Sequence, residues 1–343
     1  MARTIVLSGI TIYVLAALAW VLTAGVVRDG GKVELLNVAC DPTRELWRDL
    51  NGKFIDQYKN ETGNDVTIRQ SHGGSGSQAR AVIDGLDADV VTLALWTDTD
   101  AVRKAGLIDP GWEQKPNKGS LPFTSTIVFV VRKGNPKKLH EWSDLARDDV
   151  QVITPNPKTS GNGKWSFLAM WGSVRHRGGS DAEALAFVTA VYEGVPILDT
   201  AARGATMTFS QKKKGDVHLT WENEAYLEVQ ESKDELEIVH PSESVLAEPH
   251  VAVVDRVVDR KGTRVVAEAY LNFLHEIEAQ EIIAKHYYRP THPLVKKQTA
   301  SQFPQIKLFE AIPLLGPGWD EIQKRYFAEG GVFDQIRVGR RHK

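Results

Sequence analysis

Short apolar runs alternate with amphipathic segments along most of the chain. Candidate buried strands lie at 33–39, 66–68 and 88–95, and each is followed by a stretch in which apolar residues recur with helical spacing. The first such stretch begins at Asp41-Pro42, an order typical of a helix N-terminus, with Asp41 as the predicted N-cap. Alternation of strands and helices predicts parallel sheets covered by helices on both faces. The fold class is therefore α/β.

A second set of strands and helices begins with the long strand candidate at 125–131. Residues 250–254 form a candidate return crossing, and 263–285 a long amphipathic helix packing back on the first lobe. A chain of 343 residues exceeds the size at which one core usually keeps growing, so two lobes are expected. The predicted division is 32–125 for lobe I, 126–248 for lobe II, 249–310 for the second part of lobe I and 311–343 for a C-terminal helical segment on the lobes.

An almost unbroken apolar run, 5–27, dominates residues 1–31. This pattern is typical of a secretory signal peptide, cleaved near Thr23-Ala24-Gly25, or of an N-terminal membrane anchor that is retained. Both alternatives predict export, and hence a periplasmic protein.

Composition narrows the classes of function. The formal net charge is −2, so the chain lacks the basic field that nucleic-acid binding needs. Cys40 is the single cysteine, which excludes an internal disulfide and predicts a buried, inert thiol. The histidines show no metal-ligand spacing, so no metal is expected.

Two polar, glycine-rich loops, 71–78 and 158–163, carry the candidate chemistry. Each follows a strand candidate and precedes a helix candidate, which places backbone N–H groups at a helix N-terminus where anions are favoured. Because the loops are far apart in sequence, they indicate one anion held between two lobes.

The same loops also permit an enzyme that binds a phosphorylated cofactor. Residues 74–79 match the G-x-G-x-x-A dinucleotide pattern, which alone is a weak signal. The nucleophile elbow lacks its final glycine, and Gly163-Lys164 is followed by Trp165, where a phosphate-binding loop needs Ser or Thr. No general base or nucleophile pair accompanies the loops, so the enzyme is the second interpretation.

Six blocks of sequence, spread in order over about 35–336, resemble the signature of the periplasmic sulfate-binding proteins. They are Asp41-Pro42-Thr43-Arg44-Glu45-Leu46, Gln70-Ser71-His72-Gly73-Gly74-Ser75-Gly76, Ser125-Thr126-Ile127-Val128-Phe129, Ile153-Thr154-Pro155-Asn156-Pro157-Lys158, Trp221-Glu222-Asn223-Glu224 and Tyr288-Arg289-Pro290. Taken together, these blocks are highly specific.

This resemblance implies a type II periplasmic binding protein with two lobes, each a mixed, mostly parallel sheet flanked by helices, and two crossing strands as the hinge. It implies a monomeric receptor without a cofactor, which is not an enzyme and delivers sulfate to an ABC permease. A thiosulfate or molybdate receptor of the same fold is the alternative. The implied donors to sulfate are the N–H of Asp41, the hydroxyl of Ser75, the hydroxyl and N–H of Ser160, the N–H groups of Gly161, Asn162 and Ala202, and the indole N–H of Trp221, with Arg203 as a supporting residue.

The chemistry of sulfate agrees with such a set. Sulfate at neutral pH has two charges and no proton, so a matching site needs donors only, and the indole of Trp221 can only donate. A phosphate carries at least one proton, which would face a donor with nothing to accept it, so strong rejection is expected. The family usually has Gly where Asn162 stands, a change that is costly if the position requires a positive φ.

Overall fold

The computed structural model describes residues 32–115, 119–336 and 338. The predicted signal or anchor at residues 1–31 lies outside these residues. Within the described ranges, no helix has the length and apolar character needed to cross a bilayer.

Strands and helices alternate over most of the chain, as the sequence predicts. The strands are β1 (Val33–Cys40), β2 (Val66–Gly73), β3 (Val90–Leu93), β4 (Phe123–Thr124), β5 (Ile127–Arg132), β6 (Val152–Ile153), β7 (Val217–Trp221), β8 (Leu236–Val239), β9 (Glu243–Val245), β10 (His250–Val253), β11 (Arg289–Pro290) and β12 (Lys307–Phe309). The helices are α1 (Arg44–Thr62), α2 (Ser75–Ile83), α3 (Trp96–Lys104), α4 (Gly161–His176), α5 (Asp181–Glu193), α6 (Ala202–Thr206), α7 (Glu222–Glu231), α8 (Asp255–Lys261), α9 (Arg264–Phe273), α10 (Ile277–Lys285), α11 (Pro293–Gln298), α12 (Ala311–Leu314), α13 (Trp319–Ile322) and α14 (Val332–Gln335).

The sheet of lobe I has the strand order β10-β3-β1-β2. β1 is parallel to both β2 and β3, whereas β10 runs antiparallel to β3. Side chains alternate between the two faces of a strand, so Val90 joins one apolar cluster and Val91 the other. Both faces of this sheet are therefore covered, as its nearly continuous apolar strands require.

The sheet of lobe II has the order β6-β7-β5-β8. β6 and β7 are parallel, but β5 runs antiparallel to both β7 and β8. The predicted mixed sheet is thus confirmed, while the mostly parallel pairing holds only in lobe I. The physical reason is that the chain enters lobe II from lobe I through β5, so β5 points in the direction opposite to β7 and β8.

Two crossing segments lie side by side between the lobes. Ser125 and Ala247 form an isolated antiparallel bridge in which each N–H donates to the other residue's carbonyl, both at 2.9 Å. The chain crosses a third time near 305, because β12 pairs in parallel with β9. Residues from Phe309 to Ile336 then pack into the core of lobe II. The sequence predicts two crossings and misses this third one.

The long helix predicted at 263–285 is two helices, α9 and α10. The buried side chain of Gln280 stabilises the break, because its amide nitrogen donates to the carbonyls of Leu274 and Pro122, both at 2.7 Å. Its amide oxygen accepts the N–H groups of Thr291 and His292. A buried polar side chain with all its partners thus supports the turn in place of helix continuation.

Candidate functional site

The first turns of several helices converge on one small cavity between the lobes. The cavity has a volume of about 190 Å³. It is lined by Cys40, Asp41, Pro42, Gly73, Gly74, Ser75, Ala94, Ser160, Gly161, Asn162, Ala202 and Trp221. All seven residues that the sequence assigns to sulfate contact are in this set.

The lining residues are almost completely removed from solvent. Asp41 is 6 % exposed, and Ser75, Ser160 and Trp221 are each 1 % exposed. The lobes are therefore closed around the cavity. A nucleotide does not fit, because pockets for ligands of that size usually measure about 300–1,000 Å³, whereas the part of this cavity open to the centre of a water molecule is about 10 Å³.

Backbone donors come from the starts of a 3₁₀ turn and two helices. Asp41 begins the 3₁₀ turn that leads into α1, Gly161 and Asn162 open α4, and Ala202 opens α6. The N–H groups in a first turn have no carbonyl partner within their own helix and favour an anion. Four peptide N–H donors thus border the cavity from both lobes.

Asp41 is not the N-cap that the sequence predicts. The N-cap is Cys40, and Asp41 is the first residue of the turn, followed by Pro42. The reason is that β1 continues through Cys40, so the turn starts one residue later. The Asp41 carboxylate accepts from Arg44 at 2.8 Å, which offsets its repulsion of an anion.

Ser160 is the N-cap of α4. Its hydroxyl oxygen accepts the N–H of Gly163 at 3.3 Å, which leaves the hydroxyl hydrogen free to donate elsewhere. Its own N–H donates to the carbonyl of Asn156 at 2.9 Å. The loop turn thus already employs the N–H of Ser160, and of its two predicted donors only the hydroxyl stays available. The contact of this hydroxyl with sulfate stays a prediction.

Ser75 is held differently from the prediction as well. Its hydroxyl oxygen accepts the N–H of Ala94 at 2.9 Å, and its hydrogen is directed to the Asp98 carboxylate, with 2.6 Å between the oxygens. In this state the hydroxyl does not donate into the cavity. Ser75 is also the first residue of α2, so its N–H is a further first-turn donor.

Asp98 and Lys164 form a buried ion pair that the sequence reasoning missed. Lys164 of lobe II reaches the Asp98 carboxylate of lobe I at 2.6 Å, and the two side chains are 6 % and 5 % exposed. In the sequence, Asp98 and Lys164 each resemble an ordinary charged residue on the surface of a helix. The available signal was the position of Lys164 inside the apolar run of α4, where a charge needs a partner.

Trp221 ends β7 and stands in the N-cap position of α7. Its indole nitrogen is buried and has no hydrogen-bond partner among the described residues. An unsatisfied buried donor costs about 1–3 kcal/mol, so this N–H beside the cavity needs an acceptor. Trp221 thus lies at a strand end that borders the cavity.

Asn162 adopts its position without strain. It is the second residue of α4 and is not one of the non-glycine residues with positive φ. Its side chain donates to the carbonyl of Leu219 at 3.4 Å. The replacement of the family's usual glycine therefore preserves the backbone donor.

Arg203 lies outside the cavity and forms ion pairs across the cleft. Its guanidinium contacts Glu45 of lobe I at 2.6 Å and Glu224 of lobe II at 3.0 Å. Burial raises the pKa of Glu224 to about 8, although the positive charge of Arg203 opposes the shift. Arg203 thus forms a salt bridge between the two lobes.

Two glycines set how closely the lobes approach. A Cβ added at Gly161 would lie 2.2 Å from the Cβ of Ala94, on the opposite lobe. A Cβ at Gly74 would lie 2.5 Å from the carbonyl oxygen of Thr159, again across the cleft. Side chains at either position would hold the lobes apart.

Cys40 contributes no charge to the cavity. The thiol is 3 % exposed, and burial strongly raises its pKa, so it stays neutral beside an anion. The described residues contain no cluster of three or more His, Cys, Asp or Glu that could hold a metal. Apart from the Asp41 carboxylate, which is paired with Arg44, the polar side chains that line the cavity are neutral.

The sequence matches the family described as bacterial extracellular solute-binding protein over residues 36–289. It is 54% identical to the sulfate-binding protein of Escherichia coli K12 over 306 residues, which cover 89% of this chain and 93% of that protein. It is 48% identical to the thiosulfate-binding protein of Pseudomonas aeruginosa, over 88% of this chain and 91% of that protein. The fold matches the solved sulfate-binding protein SubI of Mycobacterium tuberculosis H37Rv with a TM-score of 0.78 and 31% identity, over 86% of this chain and 99% of that structure.

Proposed function

Because the chain belongs to the bacterial extracellular solute-binding proteins, we propose that it captures inorganic sulfate between its two lobes. The bound anion is then delivered to an ABC permease in the membrane. This function places the protein in the periplasm as a monomeric receptor without turnover. The relatives named for sulfate and thiosulfate binding, which align over nearly the full described length, support the proposal.

The observation that carries the proposal is the unpartnered indole N–H of Trp221 beside the enclosed cavity. The N–H groups of Asp41, Gly161, Asn162 and Ala202 and the hydroxyl of Ser160 border the same space. A dianion with acceptors on every face satisfies all of these donors. Hydrogen bonds to a charged group contribute about 1.5–3 kcal/mol each, which offsets the cost of removing sulfate from water.

The same lining predicts the selectivity. The one acidic side chain in the cavity lining, Asp41, is paired with Arg44 at 2.8 Å, so the proton of a phosphate would compete with a guanidinium for this acceptor. Thiosulfate and molybdate also lack a proton at neutral pH and differ from sulfate mainly in size and acceptor strength. Thiosulfate is therefore the second candidate ligand, supported by the 48% identical relative.

Titration calorimetry on the purified protein tests the proposal. Sulfate should bind without added nucleotide or metal, and phosphate at similar concentration should not compete. Competition by phosphate at equal concentration would contradict the all-donor site. Binding that requires a nucleotide would favour the enzyme that uses the glycine-rich loops.

Replacement of Trp221 by phenylalanine tests the key donor. Trp221→Phe removes one bond to a charged ligand and should weaken sulfate binding by about 1.5–3 kcal/mol while the fold persists. Trp112→Phe is the matched control, because its indole nitrogen is also buried without a partner but lies in a separate groove that contains Asp255 and Glu268. Equal affinities of the wild type and Trp221→Phe would remove this residue from the site.

A further inference from the structure

The C-terminal segment, residues 319–336, packs against α4, the helix whose first turn carries predicted hydrogen-bond donors to the anion. The ring of Phe167 on α4 lies 5.7 Å from Tyr326, 5.4 Å from Phe327 and 6.2 Å from Phe333. Trp319 packs edge-on against Trp165 at 5.5 Å. This segment therefore fixes the flank of α4.

The same segment also holds the loop in front of α4, through Lys158. The ammonium of Lys158 donates to the carbonyls of Phe327 and Ala328, both at 3.0 Å, and to the carboxylate of Asp334 at 2.7 Å. Asp334 in turn accepts the N–H of Gly330 at 2.8 Å. All three donor positions of this lysine thus have an acceptor on a segment about 170 residues away in sequence.

The loop held in this way, residues 156–160, contributes both to the proposed anion site and to the contact between the lobes. Asn156 accepts the N–H groups of Lys158, Thr159 and Ser160, and so shapes the turn that presents the Ser160 hydroxyl. Thr159 donates its hydroxyl to the carbonyl of Thr200 at 2.7 Å. The carbonyl of Thr159 faces Gly74 of the opposite lobe. A displacement of this loop would move donors and cleft surface together.

We propose that Lys158 is a positioning residue, whose anchorage on the C-terminal segment orders the 156–160 loop before the anion arrives. This inference rests on the proposed sulfate function. A preformed loop binds more tightly because the anion does not have to supply the conformational entropy of ordering it. Lys158 does not touch the ligand and acts through Ser160 and the first turn of α4.

One feature separates this role from that of an ordinary surface ion pair. Exposed lysine–carboxylate pairs usually contribute little, and the Lys158 side chain is 29% exposed. However, two of its three acceptors are backbone carbonyls, so the contact fixes the main chain of the C-terminal segment as well as one side chain. The pKa of Asp334 is lowered chiefly by its hydrogen bond to Lys158, which agrees with a formed pair.

Lys158→Met should weaken sulfate affinity by about tenfold, mainly through faster dissociation, because the anion must then order the loop. Lys137→Met is the matched control, since Lys137 also bridges a backbone carbonyl and a carboxylate in lobe II, both on Asp149, far from the cavity. Lys158→Arg should restore most of the affinity, because a guanidinium can reach the same acceptors. The two methionine variants should unfold at similar temperatures without sulfate.

Calorimetry gives the affinities and stopped-flow tryptophan fluorescence gives the dissociation rates. The inference is overturned if Lys158→Met binds sulfate within about twofold of the wild type, or if Lys137→Met loses affinity equally. If Lys158→Met does not fold, Asp334→Asn is measured in its place. This variant should lose about threefold in sulfate affinity, and an unchanged affinity would contradict the inference. Failure of the wild type to bind sulfate would instead refute the proposed function.

Discussion

Replacement of Gly161 by alanine tests whether close approach of the lobes is part of anion capture. The added Cβ would lie 2.2 Å from the Cβ of Ala94 and 3.1 Å from the Cβ of Ser75, both on the opposite lobe. Carbon atoms in contact prefer about 3.5–4.0 Å, so the lobes must separate locally by roughly 1.5 Å. Closure then stops short of the state seen here.

The expected loss follows from the donors that lobe I supplies. A hydrogen bond of about 2.9 Å stretched by this amount is lost, because useful bonds end near 3.2–3.5 Å. The anion, held by lobe II, then loses its contacts to the N–H groups of Asp41 and Ser75. At about 1.5–3 kcal/mol each, these two bonds amount to about 3–6 kcal/mol, or roughly a hundredfold to ten-thousandfold in the dissociation constant.

Calorimetry with sulfate, paired with thermal unfolding without it, checks this reasoning. The open, unliganded variant should be as stable as the wild type or more so, since alanine in a helix is favoured over glycine by about 0.5–1 kcal/mol. Gly52→Ala in α1 is the matched control, because an added Cβ there meets nothing within 4 Å. A dissociation constant of Gly161→Ala within about threefold of the wild type would refute the argument.

Two further predictions concern buried charges. Lys164→Met leaves the Asp98 carboxylate buried without its partner, which should destabilise the closed state by about 3–5 kcal/mol. The double variant Lys164→Met/Asp98→Asn should recover part of this loss. If the loss of sulfate affinity in the double variant equals the sum of the two single losses, the two residues are not coupled. The pKa of Glu224 is raised to about 8 from 4.5, so its contribution to stability is fully present below pH 4.5 and is lost as the pH rises towards 8. Urea unfolding across this range should show a smaller decline with pH in Glu224→Gln than in the wild type, and equal declines would exclude a role for this carboxyl.

Local patterns predicted the parts of the site that are continuous in sequence. The end of β7 at Trp221 lies where strand periodicity placed it. The two predicted loops are shorter than expected, because β2 continues through Gly73, α2 begins at Ser75 and α4 begins at Gly161. The Asp98–Lys164 pair joins positions 66 residues apart, and no local pattern reports which charges meet across a cleft. The hydroxyl of Ser75 is directed away from the cavity for the same reason, since its acceptor comes from α3.

The fold was predictable to a similar depth. Apolar runs located the strands of both sheets, but the direction of β5 depends on its route between the lobes. The break between α9 and α10 depends on Gln280, whose partners Pro122, Thr291 and His292 come from other segments. The third crossing stayed hidden because β12 is only three residues long and pairs with the equally short β9.

That third crossing has a consequence for how the chain matures. Lobe I combines residues on both sides of lobe II, and lobe II takes its final aromatic side chains, including Tyr326, Phe327 and Phe333, from the end of the chain. The interior of lobe I is therefore completed only by Tyr288, and that of lobe II only by Phe333 and Ile336. Until those residues are made, both partly built interiors expose apolar surface, which makes the unfinished polypeptide prone to aggregation.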